Sequence, residues 1–201
     1  MTDPYSEPTT EQIAACLAEG GVALLPTDTV YGLAVHPTRP DAKARLFAMK
    51  RRPGSVNLPI MVASTADLPA LGVEITEPAH RLMEAFFPGP LSVALGIRSG
   101  AAPGWLAGRV ECAVRIPDDE RLLDVLRATG PLLVTSANIH EQATPESAPS
   151  VLASLDGRPD IVLDGGIRKV VPSTLVNCNL PVPVIEREGV ISRHEIERVL
   201  S

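Results

Sequence analysis

The stretch that most constrains this chain is residues 22–33, Val-Ala-Leu-Leu-Pro-Thr-Asp-Thr-Val-Tyr-Gly-Leu. Its first four residues are an unbroken apolar run, which reads as a buried strand. Pro26 ends the run because it brings no N–H to a sheet ladder. Thr27, Asp28, Thr29 and Tyr31 follow at the strand's C-terminal end, where open α/β sheets take their ligands. Gly32 permits a turn or a close backbone approach. A polar loop closed by two threonines is the plainer reading of the same residues.

A buried strand needs a core to cover it, and 45% hydrophobic content supplies one for a chain of 201 residues. We read residues 1–8 as a flexible N-terminal tail and 9–201 as a single domain. The 20 prolines predict short, sharply bounded elements. Thr9-Thr10-Glu11-Gln12 has the capping-box pattern, opening a helix that stops at Gly20-Gly21. Further helices are expected over Pro40 to Arg51 (broken by Pro53-Gly54), near 65–71, near 77–87 behind Thr76, and over Asp118 to Ala128. Ser192-Arg193-His194-Glu195, a second capping box, opens the last helix. Strands are expected at Leu58 to Ala63, Leu91 to Gly96, Cys112 to Ile116 and Pro131 to Thr135. Later ones fall at Ile161 to Leu163, Thr174 to Val176 and Val182 to Ile185. Strands and helices mix without strict alternation, which predicts an α/β fold on a twisted mixed β-sheet flanked by helices.

Several function classes are disfavoured. A formal charge of −6 is wrong for a general nucleic-acid coat protein. Cys16, Cys112 and Cys178 are far apart and odd in number, so we read reduced thiols, with no zinc site and no disulfide framework. The polar, acidic N-terminus is unlike a signal peptide. No apolar run approaches the roughly 18 residues of a membrane span. The expectation is a cytoplasmic protein. No Walker motif or G-x-G-x-x-G occurs, and His36, His80, His140 and His194 show no metal or nucleophile spacing.

Against this acidic background, Asp41 to Leu58 carries five cations (Lys43, Arg45, Lys50, Arg51, Arg52) and one acid. One reading is a solvated helix end whose cations complement the C-terminal dipole. The other is an anion clamp, with Arg as a fork and Lys as a point charge. Helix positions i and i+2 point about 200° apart. Lys50 and Arg52 therefore converge only if the helix ends between them, and Pro53 disfavours helical dihedrals at Arg52. Arg51 then turns to solvent. Ser136-x-Asn138, after a buried strand, adds hydroxyl, amide and backbone donors, or forms a Ser or Asx turn.

Seven segments then occur in order: Pro-Thr-Asp-Thr-Val-Tyr-Gly-Leu (26–33), Lys-Arg-Arg-Pro (50–53), Phe-Pro-Gly-Pro-Leu (87–91), Ala-Val-Arg-Ile-Pro (113–117), Thr-Ser-Ala-Asn (135–138), Pro-Ser-Thr-Leu-Val (172–176) and Arg-Glu-Gly-Val-Ile (187–191). Together they resemble the YrdC-type L-threonylcarbamoyladenylate synthases across residues 10–200, and the end at Ser201 resembles their short, single-domain form. The resemblance implies a YrdC-like catalytic domain with its sheet around a concave basic cavity. It implies a nucleotidyltransferase that makes L-threonylcarbamoyladenylate and pyrophosphate from ATP, L-threonine and bicarbonate, with Mg2+ accompanying ATP. The product feeds N6-threonylcarbamoyladenosine modification of tRNA, so tRNA or a downstream threonylcarbamoyl-transferase complex is an implied partner.

By position, Lys50 and Arg52 match the family's catalytic, phosphate-binding pair. Thr29, Tyr31, Arg115, Ser136 and Ser173 match its L-threonine site, with Thr27 shaping it. Asn138 and Arg187 match nucleotide-binding positions, and no metal ligand is assigned. Four residues depart from the pattern. Glu111 stands where a small hydroxyl residue is usual, Val56 where Lys or Asn is, Met61 where some members have His, and His140 where Ser is. Two other functions stay open: a non-catalytic RNA-binding module, and a carbamoyladenylate enzyme with another acceptor. An aromatic content of 3% leaves few base-stacking platforms for the first.

Overall fold

Ala23–Leu25 forms strand β1, whose three side chains are at most 1% exposed. The structure, a computed structural model, describes residues 7–52 and 57–201. Most of the expected tail, the helix break at Pro53-Gly54 and the departure at Val56 lie outside those residues. The chain stays in the sheet after Pro26. Residues 26–31 form a short connection, and Gly32–Val35 returns as β2, antiparallel to β1 with Leu25 opposite Gly32. Of the two readings of Gly32, a turn or a close backbone approach, the structure shows the second, at the start of a strand. Leu33, Ala34 and Val35 are fully buried. A Cβ at residue 32 would lie 2.9 Å from Val134 Cγ1, so glycine lets β2 approach its other neighbour.

That neighbour is β6 (Leu132–Ser136), and the remaining strands are β3 (Ile60–Met61), β4 (Leu91–Gly96), β5 (Glu111–Arg115), β7 (Ile161–Val162), β8 (Thr174–Asn177) and β9 (Val184–Arg187). They make one nine-stranded sheet in the order β7-β1-β2-β6-β3-β5-β4-β8-β9. The pairs β1/β7, β3/β5 and β4/β8 are parallel and the others antiparallel, so the sheet is mixed as expected. Only Ile60–Met61 of the expected strand at 58–63 joins the ladder, with Pro59 just before it.

The helices are α1 (Thr10–Ala18), α2 (Pro40–Met49), α3 (Glu77–Phe86), α4 (Glu120–Thr129), α5 (Ala148–Ser154) and α6 (Arg193–Leu200). Both capping boxes form: Thr9 with Gln12, and Ser192 with Glu195. Thr76 and Asp119 also cap, accepting from the N–H groups of Ala79 and Leu122. Helix α1 packs with α4, and α3 with α6. Residues 65–71 wind as a 3-10 helix containing Pro69, which has no N–H to give, and stop at left-handed Gly72. No described helix is long and apolar enough to cross a membrane. This framework brings the 26–31 connection, the end of β6, the middle strands β4 and β5, and the β8–β9 edge to one place.

Candidate active site

A cavity of about 400 Å³ lies over these elements. Strand alternation aims Ser92 and Ala94 of β4, and Glu111, Ala113 and Arg115 of β5, at the same face. The 26–31 connection adds Thr27 and Thr29, β6 adds Thr135 and Ser136, and the approach to β8 adds Pro172 and Ser173. Consecutive residues of a strand normally face opposite ways, yet Glu186 and Arg187 of β9 both line the cavity. The register slips here: Leu175 faces Arg187 and Val176 faces Ile185, which leaves Glu186 in a bulge. With Arg52, the lining carries three arginines and two glutamates. The expected basic cavity is thus one of mixed charge, one positive in excess.

Its most buried charge is Arg115, 3% exposed. Nε donates to Gly89 O at 3.0 Å, Nη1 to Thr29 Oγ1 at 3.0 Å and Nη2 to Asp28 Oδ1 at 2.6 Å. Three of five guanidinium N–H donors are thereby committed, leaving one on each terminal nitrogen. Desolvation presses the Arg115 pKa down, and Asp28 opposes it. Thr27 shapes this corner from below: its Oγ1 accepts from the N–H groups of Thr29 (3.1 Å) and Val30 (3.2 Å) and donates to Val30 O (2.7 Å). Ser173, 6% exposed, shares a hydrogen bond with Ser92 at 3.0 Å. Arg187 donates to Ser173 O at 3.0 Å and to its Oγ at 3.1 Å. Burial and then the Arg115 charge lower the Arg187 pKa.

The basic run divides three ways. Helix α2 ends at Met49, and the N–H groups of Arg51 and Arg52 bond back to Ala48 O and Phe47 O. This is a Schellman close with Arg51 left-handed at φ 50°. Arg51 is exposed and pairs with Asp156 at 3.1 Å, away from the cavity lining. Arg52 lines the cavity, and its Nη1 donates to Thr135 Oγ1 at 3.1 Å. Lys50 does not line it. Of the two cations expected to converge on a triphosphate, Arg52 is the one that faces the cavity. Lys50 is 1% exposed, and Nζ donates to Ser136 O, to Asn138 O at 2.6 Å and to Asn138 Oδ1 at 3.2 Å. Burial, then Arg52, lowers its pKa to about 7. All three ammonium donors are spent on the 136–138 turn.

Two other expected ligand contacts are also taken up within the protein. Asn138 accepts from Lys50 and from Ser136 Oγ (2.6 Å) and donates to Ile139 O and Gln142 O. It holds the turn together and is absent from the cavity lining. Tyr31 is fully buried; its hydroxyl donates to Gly166 O at 2.7 Å and accepts from Gly165 N at 2.9 Å. It ties the 26–31 connection to residues 164–166 and is absent from the cavity lining. In each case a polar side chain near the site is bonded to backbone and side-chain groups of the protein itself, which a motif does not reveal.

Sequence reasoning missed Ser92, Thr135, Asp28's pairing and Glu186. Ser92 sits one residue beyond the quoted 87–91 motif and Thr135 opens the quoted 135–138 motif, whereas Glu186 has no local signal because the bulge presents it. Glu111, noted as a departure, lines the cavity and accepts from Asn179 Nδ2 at 3.1 Å; Asn177 Nδ2 donates to Glu186 at 2.7 Å. Among the described residues no group of three or more His, Cys, Asp or Glu side chains is placed to hold a metal ion.

A family profile described as Telomere recombination, that of the Sua5, YciO and YrdC proteins, matches residues 15–189. The chain is similar to the threonylcarbamoyl-AMP synthase of Bacillus subtilis, 35% identical over 205 residues, covering 100% of this chain and 59% of that protein. It is similar to Pyrococcus abyssi Sua5 solved in complex with L-threonine, at 34% identity and a TM-score of 0.86, covering 95% of this chain and 57% of that one. Escherichia coli YciO superposes with a TM-score of 0.80 at 25% identity, over 90% of this chain and 89% of its own. The chain thus spans less than two thirds of the length of the Bacillus subtilis and Pyrococcus abyssi synthases.

Proposed function

The chain belongs to the Sua5, YciO and YrdC family, and on that footing we propose that it makes L-threonylcarbamoyladenylate from L-threonine, bicarbonate and ATP. The observation that carries the reading is Arg115: a buried guanidinium at the cavity, held on three sides, with a spare N–H on each terminal nitrogen. Such a fork suits bidentate capture of an α-carboxylate. Thr29 and Ser173 add hydroxyls beside it. Arg52 and Arg187, each with part of its guanidinium at the cavity, neutralise the nucleotide's phosphates.

In this reading no residue becomes a covalent nucleophile. The neutral threonine amine adds to CO2 with release of a proton, or to bicarbonate with release of water, and a carbamate oxygen then attacks the α-phosphate of ATP as the bond to the leaving pyrophosphate breaks. The protein contributes positioning and charge neutralisation. Magnesium accompanies the phosphates, and Glu111 and Glu186, the lining carboxylates, are the hard oxygen donors that suit it. The product serves cytoplasmic N6-threonylcarbamoyladenosine formation on tRNA, with a downstream transferase as partner.

The test is to incubate the pure protein with ATP, labelled bicarbonate and L-threonine and to look for the adenylate and pyrophosphate. Both are expected, and absence of both refutes the reading. Glu111 in the lining favours a second reading, a different carbamoyl acceptor. Product with another amine in place of threonine, and none with threonine, is its signature.

A further inference from the structure

Ser92 is 4% exposed and lines the cavity from the middle of the sheet. Strands β4 and β5 pair with Val93 opposite Val114, and the same register one step on sets Ser92 across from Arg115. Side chains so placed have Cβ atoms about 5 Å apart. On its other side Ser92 Oγ meets Ser173 Oγ at 3.0 Å. Arg187 Nη2 donates to that same Ser173 oxygen at 3.1 Å. All four residues line the cavity, so its wall runs Arg115, Ser92, Ser173, Arg187.

The bonds give this row a direction. A guanidinium only donates, whereas a serine hydroxyl has one proton and two lone pairs. Arg187 fills one lone pair of Ser173 Oγ. The Ser173 proton is then free to go to Ser92 Oγ, which the 3.0 Å bond allows. Among the described residues Ser92 Oγ has no partner besides Ser173, so its own proton is left for the cavity. A hydrogen-bond chain headed by a cation polarises its last O–H, which suits an anionic oxygen.

We propose that Ser92 touches the substrate: its hydroxyl donates to an oxygen of the carbamate, and so forms the subsite of the one-carbon substrate between the two anion sites. The inference rests on the reading of the cavity as an adenylate-forming site. In that reading the spare N–H groups of Arg115 take the α-carboxylate, and Arg187 meets the phosphates. The carbamate joins the amine to the α-phosphate, so it spans the stretch of wall that Ser92 and Ser173 line. When the amine's lone pair forms the C–N bond to CO2, a C–O π pair moves onto the oxygen that Ser92 meets, and the amine gives its proton to water. Ser92 keeps its own proton and stabilises the charge that develops.

Ser92→Ala removes the hydroxyl. In steady-state adenylate synthesis, with bicarbonate varied at saturating threonine and ATP, kcat/KM for bicarbonate is expected to fall at least about tenfold, the scale of one bond to an anion. Isothermal titration of L-threonine in CO2-free buffer is expected to give a Kd within about threefold of the wild type, because Arg115 keeps its fork. Ser92→Thr, which retains a hydroxyl, is expected to restore kcat/KM to within about threefold. A smaller fall in Ser92→Ala overturns the proposal, as does a threonine Kd that weakens in step with kcat/KM, or a folded Ser92→Thr that does not recover. If Ser92→Ala does not fold, Ser92→Thr against Ser92→Val, alike in shape and differing in the hydroxyl, makes the same comparison with the same limits. An active wild type beside an unaffected Ser92→Ala sinks the proposal alone, whereas a wild type that makes no adenylate sinks it together with the reading it rests on.

Discussion

Replacing Lys50 with methionine tests the part this residue plays as an internal brace of the 136–138 turn. Methionine keeps the length and apolar stem and deletes the ammonium. Three oxygens lose a donor: Ser136 O, Asn138 O and Asn138 Oδ1. The last keeps the Ser136 hydroxyl at 2.6 Å, so two carbonyls are left bare. Stranding a buried acceptor costs about 1–3 kcal/mol, which puts the loss at about 2–6 kcal/mol, with water entry drawing it toward the lower end. For a chain of this size about 1 kcal/mol shifts Tm by roughly 2–4 °C, so a drop on the order of 5–15 °C is expected. The pH dependence has a definite sign. Lys50 titrates at about 7 in the folded protein against 10.5 as its ordinary value. Between those values the unfolded chain holds more protons, so wild-type stability rises with pH through this group. Below the window both states are protonated and the full cost of burying the charge remains. The variant lacks this slope. Urea denaturation of both proteins from about pH 6 to about pH 9 should therefore show the wild type's advantage widening. A loss below about 1 kcal/mol refutes the brace. An advantage that stays flat or narrows refutes the claim that burial dominates the Lys50 pKa.

Three further outcomes are expected. Arg115→Ala raises the threonine KM at least about tenfold while moving the ATP KM little, in steady-state adenylate synthesis; it also destabilises by about 3–5 kcal/mol because Asp28 is left unpaired in a buried site. Equal effects on both KM values count against the carboxylate fork. Arg51→Gly stabilises the protein by up to about 1 kcal/mol in thermal unfolding, because glycine occupies the φ 50° position without strain and the exposed Asp156 pair contributes little. Asp160 accepts from Val22 N at 2.7 Å and from Arg45 at 2.8 Å, and the Arg45 bond is the first cause of its lowered pKa. Its contribution is present above the ordinary value of 3.8 and is lost as pH falls through the lower folded value, so acid unfolding curves of wild type and Asp160→Asn should converge at low pH.

Local chemistry in the chain determined more of the fold than of the site. The two capping boxes, the Thr76 cap and the apolar runs at 23–25, 91–96 and 132–135 act through neighbours three or four residues away, or through burial alone. They were legible for that reason. Gly32–Val35 was legible only in part: a close approach at Gly32 was one of two readings, and the strand it opens became evident only with Val134 placed beside it. The end of α2 was legible from Pro53 and from the about 200° divergence of Lys50 and Arg52, and with it the outward turn of Arg51.

What each cation does was decided only in three dimensions. Lys50 and Arg52 are two residues apart and equally basic, yet one is consumed by the carbonyls of residues 136 and 138 and the other faces the cavity. Arg115 stood out in its strand, but its pairing with Asp28 joins positions 87 residues apart. Tyr31, likewise, finds Gly165 and Gly166 far along the chain. Glu186 reaches the cavity through a register slip between two strands, which no single strand encodes. A side chain's type fixes which bonds it is able to make. Which of them remain for a ligand depends on the donors and acceptors that distant segments bring within about 3 Å, and that count exists only in the folded chain.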